Sequence, residues 1–417
     1  MRDRLPIGDI EEQAVRPGPL AGLTVVSLEQ AVSAPLCTRT LADLGARVIK
    51  IENPAGGDFA REYDDVVHGM AAHFVWLNRG KESVTLNLKT TEGLDVLHRL
   101  LADADAFVTN LAPGATARLG LDAETLELTY PRLVTCEISG YGSGGPLSDK
   151  RAYDLLAQAE SGACSITGLP GEPAKPGPPV ADACTGLYGV ISILATLQAR
   201  GRTGHGGKTA VSLFDTMTEL MGYALTWSAY TGEDQEPVGM GSPSVAPYSS
   251  YATSDGQVVV LGTTNDREWQ RLATELLGRP DLATDERYRD GPRRVVHRAE
   301  LDEVIGEWCA RHTLAHIRKA ADDAGIGNAR YNTTTDVVAH PHLAARGRWR
   351  EVSSPVGPVR TLLAPPVLGG YDPVLGPIPA LGEHTDTVLR GLGLAEEDLA
   401  RLRATGAIGP AFAGAAD

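Results

Sequence analysis

The chain has 417 residues, 42% of them hydrophobic and 22% charged, with a formal net charge of -15. That length accommodates two domains with separate cores, and the acidic balance excludes a general binder of nucleic acid or anionic membrane, which needs a basic footprint. Any anionic ligand must then be met by a local basic cluster. Cys37, Cys136, Cys164, Cys184 and Cys309 form no C-x-x-C pair, so neither a disulfide framework nor a metal site is expected and the thiols read as reduced and cytoplasmic. Residues 1–20 lack the apolar core of a signal peptide. No later run reads as the roughly 20 apolar residues of a membrane span.

In chain order, Leu23 to Leu28 reads as a strand, Ser33-Ala-Pro35 as a helix start with Leu36 to Leu44 following, and Arg47 to Glu52 as a second strand. Strand, helix and strand on short links make a βαβ unit and a parallel sheet. The turn Glu29-Gln-Ala-Val-Ser-Ala-Pro35 has no glycine, so the dinucleotide fingerprint is missing. A Gly-rich loop, Asn53 to Arg61, leads to strands at Glu82 to Leu88, Ala106 to Asn110 and Leu133 to Ile138, with a helix at Thr91 to Leu101. Gly140 to Gly145 matches G-x-G-x-x-G formally, but Pro146 does not open the helix that motif must feed. Gly201 to Thr209 misses a phosphate loop by one position and reads as a turn into the strand Lys208 to Leu213.

Asp215 to Trp227 reads as one helix, and the Gly/Pro/Ser-rich stretch Ala229 to Ser250 as a domain boundary. Beyond it come a hairpin over Tyr251 to Leu261, helices at Arg267 to Leu277, Ala299 to Arg311 and Leu314 to Asp323, and strands at Arg348 to Val352 and Val359 to Leu363. A helix at Thr385 to Arg390 stops at Gly391, and residues from Ala407 on are expected to fray.

Asp182 sits between the Gly/Pro loop around Gly177 and an apolar helical run, Leu187 to Gln198. Taken alone it reads as the N-cap of that helix. The same place would hold a carboxylate ionised, beside backbone N-H groups able to stabilise an oxyanion. Cap and nucleophile are compatible roles. No H-E-x-x-H occurs, and His312 and His316 lack a third ligand nearby in sequence, so no metal is expected. No G-x-S-x-G elbow occurs either. Arg61, Arg79, Lys81, Lys89, Arg118, Lys150 and Arg151 lie after strands or in loops. They read either as contacts to a phosphate-bearing ligand or as solvated surface charge.

Together, Pro19 to Val26, Gly45 to Glu52, Gly57-Asp58 with Arg61, Asn78-Arg-Gly-Lys81, Asn110 to Gly114 with Arg118, Asp182 and Leu381-Gly-Glu-His-Thr385 resemble class III CoA-transferases. This is the group of formyl-CoA and carnitine CoA-transferases and the α-methylacyl-CoA racemases. The resemblance implies an α/β fold: a large Rossmann-like domain from residues 1–219 and 330–417, a smaller α/β domain at 220–329, and an interlocked homodimer. It implies acyl-CoA and a small carboxylic acid as substrates, with no permanently bound cofactor and no nucleic-acid or membrane partner.

By the same resemblance Asp182 is the nucleophile, ionised without a base, and Tyr153 and Asp154 flank the acyl group. CoA lies along Val32, Ser33, Asn53, Leu86, Lys89, Asn110, Leu111, Ala115, Arg118 and Arg151. Gly239, Gly241 and Ser242 form the loop that covers the substrate. Val32 and Asn53 depart from the glutamine and the basic residue that some transferases carry there. Tyr153 replaces the histidine that racemases need, and tyrosine is a poor base near neutrality. The reading is therefore a CoA-transferase, with features of members acting on C4 and C5 dicarboxylates in Asn265 to Trp269 and Ala246-Pro-Tyr248. The alternatives are a racemase or a non-catalytic CoA-binding protein.

Overall fold

A computed structural model describes residues 17–412. Its contacts divide the described residues into two units: residues 17–160, 178–220 and 346–412 form the first, and residues 161–177 with 221–345 form the second.

The first unit is built on β1 (Thr24–Leu28), α1 (Ser33–Asp43), β2 (Arg47–Glu52), α2 (Ala72–Leu77), β3 (Lys81–Thr85), α3 (Thr91–Ala102) and β4 (Ala106–Thr109). It continues through α4 (Ala115–Arg118), α5 (Ala123–Thr129), β5 (Val134–Ser139), α6 (Asp154–Glu160), α7 (Val180–Thr203), β6 (Gly207–Ser212) and α8 (Leu213–Leu220). The six strands form one parallel sheet in the order β3-β2-β1-β4-β5-β6. This is the doubly wound order of the Rossmann fold. The runs VVSL and VIKIE are nearly continuous rather than alternating because helices cover both faces of the sheet. Val26, Ile49, Val84 and Phe107 pack there against Leu97 and Leu101 of α3 and against Leu389 and Leu399 from the C-terminal return.

That return protects the β3 edge, whose unpaired groups would otherwise invite another strand. Gly382 N-H donates to Ser83 Oγ at 2.9 Å, His384 N-H to Ser83 O at 3.0 Å and Thr85 N-H to Thr385 Oγ1 at 3.0 Å. Asn87 N-H donates to Ala407 O at 2.8 Å, and Leu86 bridges to Ile408. The fraying expected from Ala407 on is thus wrong for Ala407 and Ile408, which are buried in the main core. Their apolar side chains complete a core that the local sequence does not reveal.

Three further expectations change. The helix expected over Asp215 to Trp227 is two, α8 and α9 (Gly222–Thr231), broken at Met221 between them. The helix expected at Arg267 to Leu277 is α-helical over Asp266–Arg271 and widens into a π turn over Leu272–Leu276. By length and composition α7 is apolar enough to cross a membrane, contrary to the reading that no run qualifies. Its glycines, alanines and threonines stretch the apolar window, while its inner face packs on α1 and the sheet.

In the second unit, β7 (Tyr248–Ala252), β8 (Val258–Gly262) and β9 (Gly327–Arg330) form an antiparallel sheet in the order β9-β8-β7. Its core gathers Trp269, Tyr288, Leu301, Ile305 and Ile317.

Candidate active site

In an open α/β sheet, ligands bind beyond the carboxyl ends of the strands where the strand order reverses. In the first unit that point lies between β1 and β4, and a cavity of about 500 Å³ opens there. Gln30, Ala31 and Ser33 line it after β1, residues 110–114 after β4, and Ser139, Gly140, Gly142 and Ser143 at the end of β5, with Ser148 to Tyr153 and Asp182 also on the wall. Asn110 ties two of these loops together. Its side chain accepts from Gln30 N-H at 2.9 Å and donates to Gln30 O at 2.8 Å.

Asp182 reaches the cavity because α7 runs close against the start of α1. At Gly186, one turn beyond Asp182, an added Cβ would stand 2.5 Å from Ser33 O, and at Gly189 it would stand 3.2 Å from Cys37 Sγ. Glycine at these positions lets the two helices meet and sets Ser33 beside Asp182 on the cavity wall, where its hydroxyl favours the ionised carboxyl. The helix begins at Val180 with Pro179 as its N-cap and no side-chain cap bond, so Asp182 lies in the first turn and is not the cap. The capping role falls to Asp154. Its Oδ1 accepts from Ala181 N-H at 2.9 Å and Asp182 N-H at 3.3 Å, while its Oδ2 accepts from Gln158 at 2.6 Å.

Two expectations fail for this reason. The N-H groups at the start of α7 are engaged by Asp154, so they do not stand open for an oxyanion. Nor is Asp182 an ordinary ionised carboxylate: burial and the neighbouring Asp154 charge push it up to about 7, against the smaller pull of Ser33. Tyr63, which the sequence reading passed over, sits within electrostatic reach of Asp182 and Tyr153. Burial and the Asp58 and Asp182 carboxylates push its hydroxyl up.

Of the residues carried over by resemblance, Ser33, Asn110, Leu111, Arg151, Tyr153 and Asp182 line the cavity together. Tyr153 is 61% exposed. Asp154 stands behind the wall, at the start of α6. Ala115 opens α4 just past the lining glycine Gly114, against which the Arg118 guanidinium folds. Val32 and Leu86 are buried core residues, so their side chains do not face the cavity. Asn53 is exposed and its side chain accepts from Ala55 N-H, and Lys89 is exposed. In the second unit, Gly239 N-H donates to Gly168 O at 2.7 Å and Gly241 N-H to Val238 O at 3.0 Å, and Arg298 donates to Ser242 O and Val245 O. The sequence reading also missed Gln30, Phe59 and Glu137, which line the cavity. Gln30 follows β1 at the reversal point, which is the one signal that pointed to it.

The basic residues separate sharply. Arg61, Arg79 and Lys81 do not face a ligand. Arg61 makes two bonds to Glu52 at 2.9 and 2.8 Å, Arg79 two to Asp43 at 2.8 Å each, and Lys81 one to Glu29 at 2.6 Å. Lys150 and Arg151 line the cavity, and Lys89 and Arg118 are exposed. Lys50 joins the buried set: its Nζ lies 2.6 Å from Asp58 Oδ2, 3.0 Å from Asn78 Oδ1 and 3.4 Å from Glu29 Oε1. Thr38 donates to the other Glu29 oxygen at 2.6 Å. Burial penalises the charges of Glu52, Glu29 and Lys81, and the paired partners reverse it for the two glutamates, bringing Glu52 down to about 2 and Glu29 below its ordinary range. For Lys81 burial prevails, at about 8.

A doubly wound sheet with a carboxylate in the cleft at its reversal point defines a ligand-binding α/β enzyme, and comparison with known proteins makes the class specific. Residues 20–385 match the model of CoA-transferase family III. The chain is 34% identical over 387 residues to a succinate–glutarate CoA-transferase of Agrobacterium fabrum, covering 90% of this chain and 96% of that one. It is 33% identical over 398 residues to a succinyl-CoA–D-citramalate CoA-transferase of Chloroflexus aurantiacus, covering 93% and 98%. The crystal structure of a CAIB/BAIF family protein from Brucella suis superposes with a TM-score of 0.79 at 35% identity, covering 90% of this chain and all of that one. The chain belongs to CoA-transferase family III and is a transferase.

Proposed function

We propose that the protein moves CoA from succinyl-CoA, or a close analogue, to a small dicarboxylic acid, with Asp182 as the covalent carrier. The observation that carries the reading is the Asp182 carboxylate, pushed up to about 7 by burial and the neighbouring Asp154, on the wall of the cavity at the sheet's reversal point. Its raised basicity makes it a stronger nucleophile once ionised than an ordinary aspartate.

An Asp182 oxygen attacks the thioester carbonyl, the C–S bond breaks, and CoA leaves as thiolate from an aspartyl-acyl anhydride. The thiolate attacks the aspartyl carbonyl, releasing the donor carboxylate and leaving an aspartyl-CoA thioester. The acceptor carboxylate displaces the thiolate to form a second anhydride. The thiolate then attacks the acceptor's carbonyl, giving the new acyl-CoA and the free Asp182 carboxylate. Acyl energy stays in covalent bonds throughout.

Asp154 holds the start of α7 in this reading, and Tyr153 walls the acyl group. Ser33, Asn110, Leu111 and Arg151 border the CoA, with Lys89 and Arg118 as exposed cations for its phosphates. The names of the Agrobacterium and Chloroflexus relatives support the dicarboxylate preference. We propose a homodimer as well, supported by apolar side chains left exposed on α6 (Leu155, Leu156) and α7 (Leu187, Ile191).

The test is succinyl-CoA with a panel of glutarate, D-citramalate, L-malate and monocarboxylates, read by mass spectrometry. New dicarboxylyl-CoA products are expected, and D182A lowers transfer at least about a thousandfold. Transfer surviving in D182A overturns the carrier role, and α-proton exchange without an acceptor would point to a racemase instead.

A further inference from the structure

The loop that carries Ser33 to Asp182 contains a backbone anomaly. Ala31, which lines the cavity, has φ +63°, a left-handed conformation disfavoured for a residue with a Cβ. Such strain persists where surrounding structure fixes it, and it collects at functional sites. Here the fixing group is identifiable. Ala31 N-H donates to Asp58 Oδ1 at 3.1 Å, Ala60 N-H reaches the same oxygen at 2.9 Å, and the other Asp58 oxygen is held by Lys50 at 2.6 Å. Lys50 and Asp58 are both buried, beyond reach of a ligand in the cavity. Two residues after Ala31 the chain enters α1 at Ser33, which lines the cavity with Asp182 and favours its ionised form.

We propose that the buried Lys50–Asp58 pair is a positioning device for the reaction: it aims an Asp58 oxygen at Ala31 N-H, fixes the left-handed turn, and so sets Ser33 on the Asp182 carboxyl. Lys50 orients Asp58, Asp58 holds the turn, and the turn points α1. The inference rests on Asp182 being the nucleophile. Besides Ser33 on α1, the groups facing Asp182 are Asp154 on α6, Tyr153 just before it and Tyr63 after the short 3-10 turn Phe59–Glu62. None of these belongs to the Lys50–Asp58 pair. Ser33 favours the ionised form of Asp182, so losing its placement moves the acidic limb of the rate profile to higher pH.

Two double variants separate the charge of the pair from its acceptor oxygen. K50M/D58N removes both charges and keeps an oxygen for Ala31 N-H, whereas K50M/D58A removes the oxygen too. Deleting a buried pair together avoids stranding one charge. In kcat/KM profiles of the full chain, K50M/D58N is expected to keep its acidic limb and stay within about threefold of the parent. K50M/D58A is expected to lose about tenfold in kcat, with the limb displaced upward to where S33A places it, and adding S33A to K50M/D58A changes little more.

Identical profiles for the two doubles, full additivity with S33A, or failure of both doubles to fold would overturn the proposal. The last outcome would assign the pair to the fold alone. Transfer by D182A would instead defeat the nucleophile reading, a result separate from all of these.

Discussion

Two sets of carboxylates within the first unit, one buried and one half-buried, meet opposite fates. Under the loop after β1, Glu29, Glu52 and Asp58 are buried with Lys50, Lys81 and Arg61 against them, and Glu52 is held at about 2. At the start of α7, Asp182 has Asp154 beside it and one serine hydroxyl, and it rises to about 7. Burial pushes Glu29, Glu52 and Asp182 alike toward the neutral form. What differs is the supply of partners, because a cation offsets desolvation and a second carboxylate adds to it. The first set spends its charge on structure, and the second keeps a carboxylate whose basicity suits covalent catalysis.

The comparison can be broken most severely from the structural side. Lys50→Ala alone leaves Asp58 and Glu29 facing a missing cation and should destabilise the protein by about 3–5 kcal/mol in denaturant titration. A loss below about 1 kcal/mol would mean that the network is not the support its burial suggests.

The opposite sign is expected at Asp182. A carboxyl whose folded value lies above its unfolded one is penalised as pH rises from about 3.8 to about 7. D182N escapes that penalty. It should be more stable than the parent by up to about 4 kcal/mol at pH 8, with the gap closing by pH 4. Equal stability at both pH values would remove the raised value.

Gly186→Ala tests the helix approach that sets the site. The added methyl meets Ser33 O at 2.5 Å, so α7 must shift away from α1. A cost of about 1–3 kcal/mol is expected, with kcat falling more than CoA affinity because Asp182 and Ser33 move apart. The smallest effect is Asp154→Asn, which keeps an oxygen for the α7 N-H groups and removes the like charge. The acidic limb of kcat/KM should move below 7, and an upward shift would show that Asp154 does not raise its neighbour.

Much of the fold was readable in the residues. Runs such as VVSL and VIKIE, a proline in the first turn of α1 and links of a few residues dictate strand, helix and parallel strand with little help from elsewhere. Asp182 was readable as the candidate nucleophile, and the family resemblance pointed to Ser33, Asn110, Leu111, Arg151 and Tyr153, which line the same cavity. The misreadings share one cause. Arg61, Arg79 and Lys81 look like anion contacts in a linear string, because their carboxylate partners are up to 52 residues away or on another element. Tyr63 carries no local signal at all, and Ala407 and Ile408 look like the start of a loose tail because the strand that they cover begins more than 300 residues earlier.

What the sequence determined by itself was the alternation of strands and helices, and the presence of one carboxylate at a helix start. Those features depend on neighbours within a few residues. Tertiary structure alone decided which charges pair, that Asp154 rather than Asp182 satisfies the start of α7, and that Asp182 is pushed to about 7. Desolvation and Coulomb energies depend on distances between groups remote in the chain, and only the folded packing sets those distances.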